Sequence, residues 1–319
     1  MKAILIGILG ALFFSVTFIL NRSMELDGGS WVWSASLRFI FMLLILLLIV
    51  GWRRDIQPVW THLKHQHPAA WLVWSTVGFG LFYAPMTFAT IYGPGWLVAA
   101  TFQLTIIAGS LLVPLLNKGS RIPIQAIFIS LIILAGVCII QFEHATTVSL
   151  VSVILTVIPL IISAFAYPLG NRKMMQLVGK DLDTFQRILG MTIASMPFWV
   201  ILSIYGAFAH GMPGGSQILQ TFIVAISSGI IATALFFYAT ELVHGDDHKL
   251  AGVEATQSGE VIFALLGEIL FLSAPLPSFI SIIGILLVIF GMILHSVVSA
   301  LGSRRKRHMY EHRDSPPAL

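Results

Sequence analysis

The chain has 319 residues, of which 57% are hydrophobic and 10% charged, with a mean hydropathy of +0.92 and a formal net charge of +4. A soluble domain carries about a quarter of its residues as charges, and a soluble helical bundle shows amphipathic helices. The apolar residues here instead fall in unbroken runs of about 20, the thickness of a bilayer core, which excludes a water-soluble fold and indicates an all-α integral membrane protein.

Turn and charge clusters delimit ten spans, near 4–20, 31–51, 70–91, 96–116, 123–141, 150–170, 184–206, 218–241, 250–272 and 279–299. Each has to be helical, because lipid offers no hydrogen-bond partner to an open backbone. The first follows Met1-Lys2 in the manner of a signal peptide, but no small-x-small cleavage site follows it, so it is read as an uncleaved span. The second span carries Arg38 and the third Pro85. The fourth opens on Trp96, an expected interfacial anchor; with Phe102 it could instead stack on a cationic or aromatic solute. The same span holds Thr101, Gln103 and Thr105. Cys138, the sole cysteine, lies in the fifth span, where it packs as a small hydrophobe. The sixth span brings Tyr167, Pro168 and Asn171, and the seventh Arg187. Pro85 and Pro168 free helix carbonyls that either line a cavity or mark a packing kink. After the tenth span comes the basic tail 301–319, read as a topology determinant, with an anionic-lipid clamp as the functional alternative.

Orientation follows from the basic residues. With the N-terminus in the cytoplasm, 15 of the 18 Lys and Arg fall on the inner side; Arg22 alone lies outside, while Arg38 and Arg187 lie within spans. An even number of spans returns the C-terminus to the cytoplasm.

The two halves of the chain echo one another. Asn21-Arg22 closes the first span and Asn171-Arg172 the sixth, 150 residues later; Phe88-Ala89-Thr90 matches Tyr238-Ala239-Thr240 at the same offset. Arg38 and Arg187 are 149 apart, and Ala100-Thr101 and Ala255-Thr256 are 155 apart. The expected organisation is a first repeat over 1–145, a second over 146–300 and the tail. With five spans each, the second repeat enters the membrane from the opposite side, the inverted arrangement that gives a transporter two related shapes.

The runs LNRSMELDGGSWVWSASLR (20–38), GPGWLVAATFQLTIIAG (93–109) and VEATQSGEVIFALLGE (253–268) resemble the drug/metabolite transporter superfamily, in its multidrug-resistance efflux branch related to EamA-type transporters. The similarity covers nearly the whole chain. It implies a secondary transporter of the bacterial inner membrane that exports a small organic molecule. EamA-type halves typically place a Gly-Glu pair before their last helix; here those positions read Asn117-Lys118 and Ser273-Ala274.

The ninth span concentrates the chemistry. At 1.5 Å per residue, Glu254 lies about 6 Å into it, Glu260 about 15 Å and Glu268 about 27 Å. Glu260 is thus near the midplane, where transporter sites sit. A carboxylate there costs several kcal/mol unless it is paired, hydrated or protonated. Such a group holds either a proton or a cationic solute, which is the chemistry of proton-coupled antiport. The alternative is a packing glutamate bonded to Thr or Tyr hydroxyls. Gln257 shares a stripe with Glu254 and Glu268, with Glu260 about 80° from Glu268. Thr105 occupies the position equivalent to Glu260 in the fourth span. Tyr167, Asn171 and Gln103 complete the candidate binding set. By depth, Arg38 is expected to pair with Glu268 and Arg187 with Glu254, with snorkelling to headgroups as the alternative. His62, His65, His67, His244 and His248, with Asp246 and Asp247, match no ligand spacing and are expected in solvated loops, so no metal or other cofactor is expected. No Gly-rich phosphate loop, nucleophile elbow or HExxH motif points to an enzyme, and the basic residues flank spans rather than forming a nucleic-acid surface. Small-molecule substrate, coupling proton and lipid are the expected partners, with monomer and homodimer both open. A passive channel or lipid-moving protein of the same fold is the competing function.

Overall fold

The computed structural model describes residues 2–53, 55–116, 124–179, 181–243, 252–253 and 255–313. These residues are helical throughout apart from short connections. In chain order the helices are α1 (Lys2–Leu26), α2 (Trp31–Trp52), α3 (Ile56–His65), α4 (Pro68–Ala89), α5 (Gly95–Phe102), α6 (Leu104–Leu116), α7 (Ile124–Ala145), α8 (Leu150–Val178), α9 (Thr184–His210), α10 (Gly215–Thr240), α11 (Gly259–Leu272) and α12 (Phe279–Arg313). Among the described residues nine helical stretches are long and apolar enough to cross a bilayer, with α5 and α6 forming one of them. The ninth expected span corresponds to α11, which has only 14 residues and follows a 3₁₀ turn at Thr256–Ser258. Glu254 and residues 244–251 lie outside the described residues.

Local sequence sets the helix ends. Ser30 caps α2 by accepting from the Val32 amide, and Ser149 caps α8 through the Ser152 amide. Asp183 and Gln186 form a reciprocal capping box at the start of α9. Gln186 also donates through Nε2 to the Asp55 carbonyl at 3.0 Å, tying this end to the turn before α3. Arg53 reaches Asp183 at 3.2 Å, and His62 Nε2 lies 3.4 Å from Asp181. His62 is therefore not the solvated loop residue expected; it is 4% exposed, packed edge-on to Trp71.

Two spans carry π-helical segments. α4 contains a π-helical segment at Thr76–Gly80, and α10 contains one at Ala225–Ala232, 149 residues later. The fourth span breaks at Gln103, whose amide bonds Ala100 at the tighter i−3 spacing; the 3₁₀ turn before α11 falls 155 residues beyond Thr101–Gln103.

Packing supplies the cohesion, since lipid gives helices no hydrophobic reason to associate. α1 packs on α10 and α11, while α8 packs on α4 and α6; α2 meets α9 and α10, while α9 meets α4; α7 runs along α12, and α5 crosses α11. The α4–α8 crossing depends on Gly78 and Gly170, where a Cβ on Gly170 would collide with the Gly78 Cα and lie 3.0 Å from the Trp74 carbonyl. Phe39 stacks on Trp199 at 4.3 Å where α2 meets α9. Large apolar residues such as Leu48, Phe142, Phe208 and Phe271 cover the outside. Cys138 is on that outer face too, rather than packed inside.

Candidate substrate site

The chemistry-bearing residues of the ninth span separate into two environments. Toward the far end of α11, Glu268 is 1% exposed. Its Oε1 accepts from the Gly95 amide at 2.6 Å and its Oε2 from the Trp96 amide at 3.4 Å. The reason lies in local sequence: Pro94 precedes α5 and offers no side-chain cap. The first amides of α5 are therefore orphaned, with the positive end of the helix dipole behind them. A carboxylate from the neighbouring helix satisfies both. Gly95 permits this approach, because a Cβ there would lie 2.8 Å from Oε1 and 2.6 Å from the Phe18 carbonyl. Trp96 is 8% exposed and packs in the core, so it is not the interfacial anchor expected.

Arg38 does not pair with Glu268. Its Nη2 donates to Ser228 Oγ at 3.0 Å, and its guanidinium lies over the Tyr83 ring, 3.9 Å from the centroid. Ser228 joins Thr17 at 3.1 Å, Thr17 joins Tyr83 Oη at 3.1 Å, and Asn21 donates to the same Oη at 3.1 Å. Helices α1, α2, α4 and α10 thus meet in one buried polar network. Depth matching missed this, because neutral hydroxyls and an aromatic face, rather than a carboxylate, hold the arginine. The expected Arg187–Glu254 pair involves Glu254, outside the described residues.

Glu260 is 8% exposed, and no described residue donates a hydrogen bond or forms an ion pair to its carboxylate. It lines an inner cavity of about 90 Å³ together with Arg38, Gln103, Thr105, Tyr167, Ser228 and Gln257, and with the rings of Phe14, Phe18, Phe82 and Phe102. Gln103 keeps its Nε2 on the Ala99 carbonyl at 3.2 Å. A larger cavity of about 330 Å³ adjoins it, sharing Phe14, Arg38, Phe82, Tyr167 and Gln257. Asn171, Arg172, Arg187 and Pro168 line this second space, where Arg172 Nη1 donates to the Gly109 carbonyl at 2.6 Å. Tyr167 rests against Phe82 at 4.8 Å and faces Phe102 at 6.0 Å.

The sequence-derived set therefore divides. Glu260, Gln103, Gln257, Thr105 and Tyr167 come together in the inner cavity, and Asn171 and Arg187 line its extension. Glu268 stands apart, on the α5 amides. Sequence reasoning missed Phe14, Phe82, Tyr83 and Ser228, whereas Thr17 and Asn21 were polar residues that the first span offered. Ser228 had a visible sign, since Ser227-Ser228-Gly229 is a small polar group in the middle of an apolar span.

Comparison with known proteins places this arrangement. A family model described as "EmrE: Putative multidrug resistance efflux transporter" matches residues 1–301. The chain belongs to that family. It is a multi-pass membrane protein of the transporter class. It is 54% identical over 318 residues to "Uncharacterized protein YjlA" of Bacillus subtilis (strain 168), covering 96% of this chain and 98% of that one. It is 53% identical over 268 residues to "Uncharacterized 42.1 kDa protein in intracellular alkaline protease 3'region" of Shouchella clausii, covering 82% of this chain and 70% of that protein. A solved crystal structure shares the fold at a TM-score of 0.62 and 16% identity, over 95% of this chain and 98% of its own.

Proposed function

We propose that the protein is a proton-coupled secondary transporter that exports a small organic molecule by alternating access, with Glu260 holding either a proton or the positive group of the substrate. The observation that carries this reading is the Glu260 carboxylate, buried at the wall of a cavity beside Tyr167 with no hydrogen bond or ion pair to a described residue. A glutamate that only packed would take polar side-chain partners, as Tyr83 Oη does with the Thr17 hydroxyl and the Asn21 amide.

Two inverted five-helix repeats, over 1–145 and 146–300, are part of the same proposal, with α11 within the ninth of ten spans. Exchanging α1 with α8, α2 with α9, α4 with α10, α5–α6 with α11 and α7 with α12 maps the most extensive helix packings onto one another: α1–α10 onto α4–α8, α1–α11 onto α6–α8, α2–α10 onto α4–α9, and α2–α9, α5–α11 and α7–α12 onto themselves. The π segments of α4 and α10 coincide under this exchange, as do the 3₁₀ breaks near Gln103 and Ser258. With both termini in the cytoplasm of a bacterial inner membrane, the larger cavity extends along Asn171, Arg172 and Arg187 toward the cytoplasm. The Glu268–Gly95 contact then closes the outer side.

Reconstitution into liposomes with an imposed pH gradient tests the proposal. Addition of substrate is expected to move protons in a saturable way, and Glu260→Gln to abolish that movement. Flux that ignores the pH gradient would favour a passive channel or lipid-moving protein instead.

A further inference from the structure

We infer that the solute carried is a small zwitterion with an apolar body, an amine-bearing carboxylate, whose anionic group is received by Arg38 and whose positive group is received by Glu260. The inference rests on the transport reading above and narrows its substrate class, away from a solute that is only cationic.

Arg38 is 7% exposed and lines both cavities. Only its Nη2 is hydrogen-bonded among the described residues; Nε and Nη1 are buried with no partner. The described ion pairs involve Arg53 and His62 with Asp55, Asp181 and Asp183, so no described carboxylate neutralises Arg38. A buried guanidinium with idle donors is costly, and a ligand oxyanion relieves that cost by supplying a charge-assisted hydrogen bond. The Tyr83 ring and Ser228 hold the guanidinium at the wall that the two cavities share, so an oxyanion entering them meets a fixed positive group.

The charge balance of the walls points the same way. Arg38 and Arg172 line the two cavities, against Glu260 as the single acidic residue among the described lining residues; Arg187, which also lines the larger one, has an interaction of its own and stands outside this balance. A solute that is only cationic would enter a wall of like charge. One that carries both signs meets Arg38 and Glu260 across the same inner space. The rings of Phe14, Phe82, Phe102 and Tyr167 supply the surface for the apolar body, and Tyr167 and Phe82 add faces suited to its ammonium.

The test uses the full-length protein in liposomes with a proton-sensitive dye. Several solute sets are offered, each sharing one apolar body and consisting of the free amine, the amino-carboxylate and its methyl ester. The amino-carboxylate is expected to drive proton movement at least about tenfold better than its amine or ester, the scale of one charge-assisted hydrogen bond. Arg38→Gln is expected to erase that preference while keeping residual amine-driven flux. If Arg38→Gln does not accumulate, the wild-type ranking within each set still decides. Amines or esters that match or exceed the amino-carboxylates overturn the zwitterion assignment; if their flux is also lost in Glu260→Gln, the transport reading stands without it. Silence from every set, and from a panel of quaternary cations as well, removes both.

Discussion

Glu260 and Glu268 lie eight residues apart on one helix, and both are buried, yet they do opposite things. Glu268 is saturated by two backbone amides at the start of α5 and completes a helix end that Pro94 leaves uncapped. Glu260 faces a cavity and has no hydrogen bond or ion pair to a described residue. A buried carboxylate that already has its hydrogen bonds is a brace, whereas one that lacks them must find a proton or a ligand. The difference arises from what the neighbouring helix presents. α5 offers two free N–H groups to Glu268, while α1 and α8 offer Glu260 mainly rings and open space, with Arg38 of α2 lining the same cavity.

The contrast is sharpest in transport. Glu260→Gln is expected to remove pH-driven flux by at least about a hundredfold while the protein accumulates normally, since the amide keeps the shape of a group that holds nothing else in place. Any remaining flux is expected to be insensitive to the pH gradient. Comparable coupled flux in this variant would break the distinction between the two glutamates.

The opposite pattern is expected at the brace. Glu268→Ala strands two buried amides and is expected to cost about 2–3 kcal/mol, read as a lower midpoint of thermal unfolding in detergent. Glu268→Gln retains one acceptor, and its loss is expected to be about half as large. Gly95→Ala drives a methyl group toward the Phe18 carbonyl and Glu268, with an expected cost of about 1–3 kcal/mol by the same assay. If Glu268→Ala unfolds at the wild-type temperature, the amide contacts are dispensable and the brace reading fails. The smallest effect is expected at the cytoplasmic edge, where Arg53 and Asp183 are about half exposed. Arg53→Ala is expected to change stability by less than about 1 kcal/mol, and a larger shift would mark that contact as a gate worth pursuing.

Much of the fold was legible because bilayer thickness and helical rise leave few choices. The expected spans at 31–51, 150–170 and 184–206 fall within α2, α8 and α9, whose starts are fixed by the caps at Ser30, Ser149 and Asp183 and which run on past the expected ends. The amide-capping role of Glu268 was not legible, because its partners are peptide groups that carry no mark in the sequence. Arg38 was misassigned for a related reason: depth along a span says nothing of the direction a side chain takes. The hydroxyls of Thr17, Tyr83 and Ser228 are separated by up to 211 residues and meet only after helices α1, α4 and α10 cross. Glu260 could be singled out early, since a midplane carboxylate is expensive wherever it points.

The π segments carry a consequence for motion. Each holds a wider turn than the rungs on either side, with hydrogen bonds that skip one residue further. Phe79 from the first segment and Gly229 from the second both stand in the wall of the larger cavity. A helix with such a surplus residue can pass it along its length, shifting one stretch by a rise of about 1.5 Å against its neighbours without breaking the coil. With one of these loose rungs in α4 and another in α10, the cavity wall has slack built into two of its staves, and its lining can re-register while the spans remain intact.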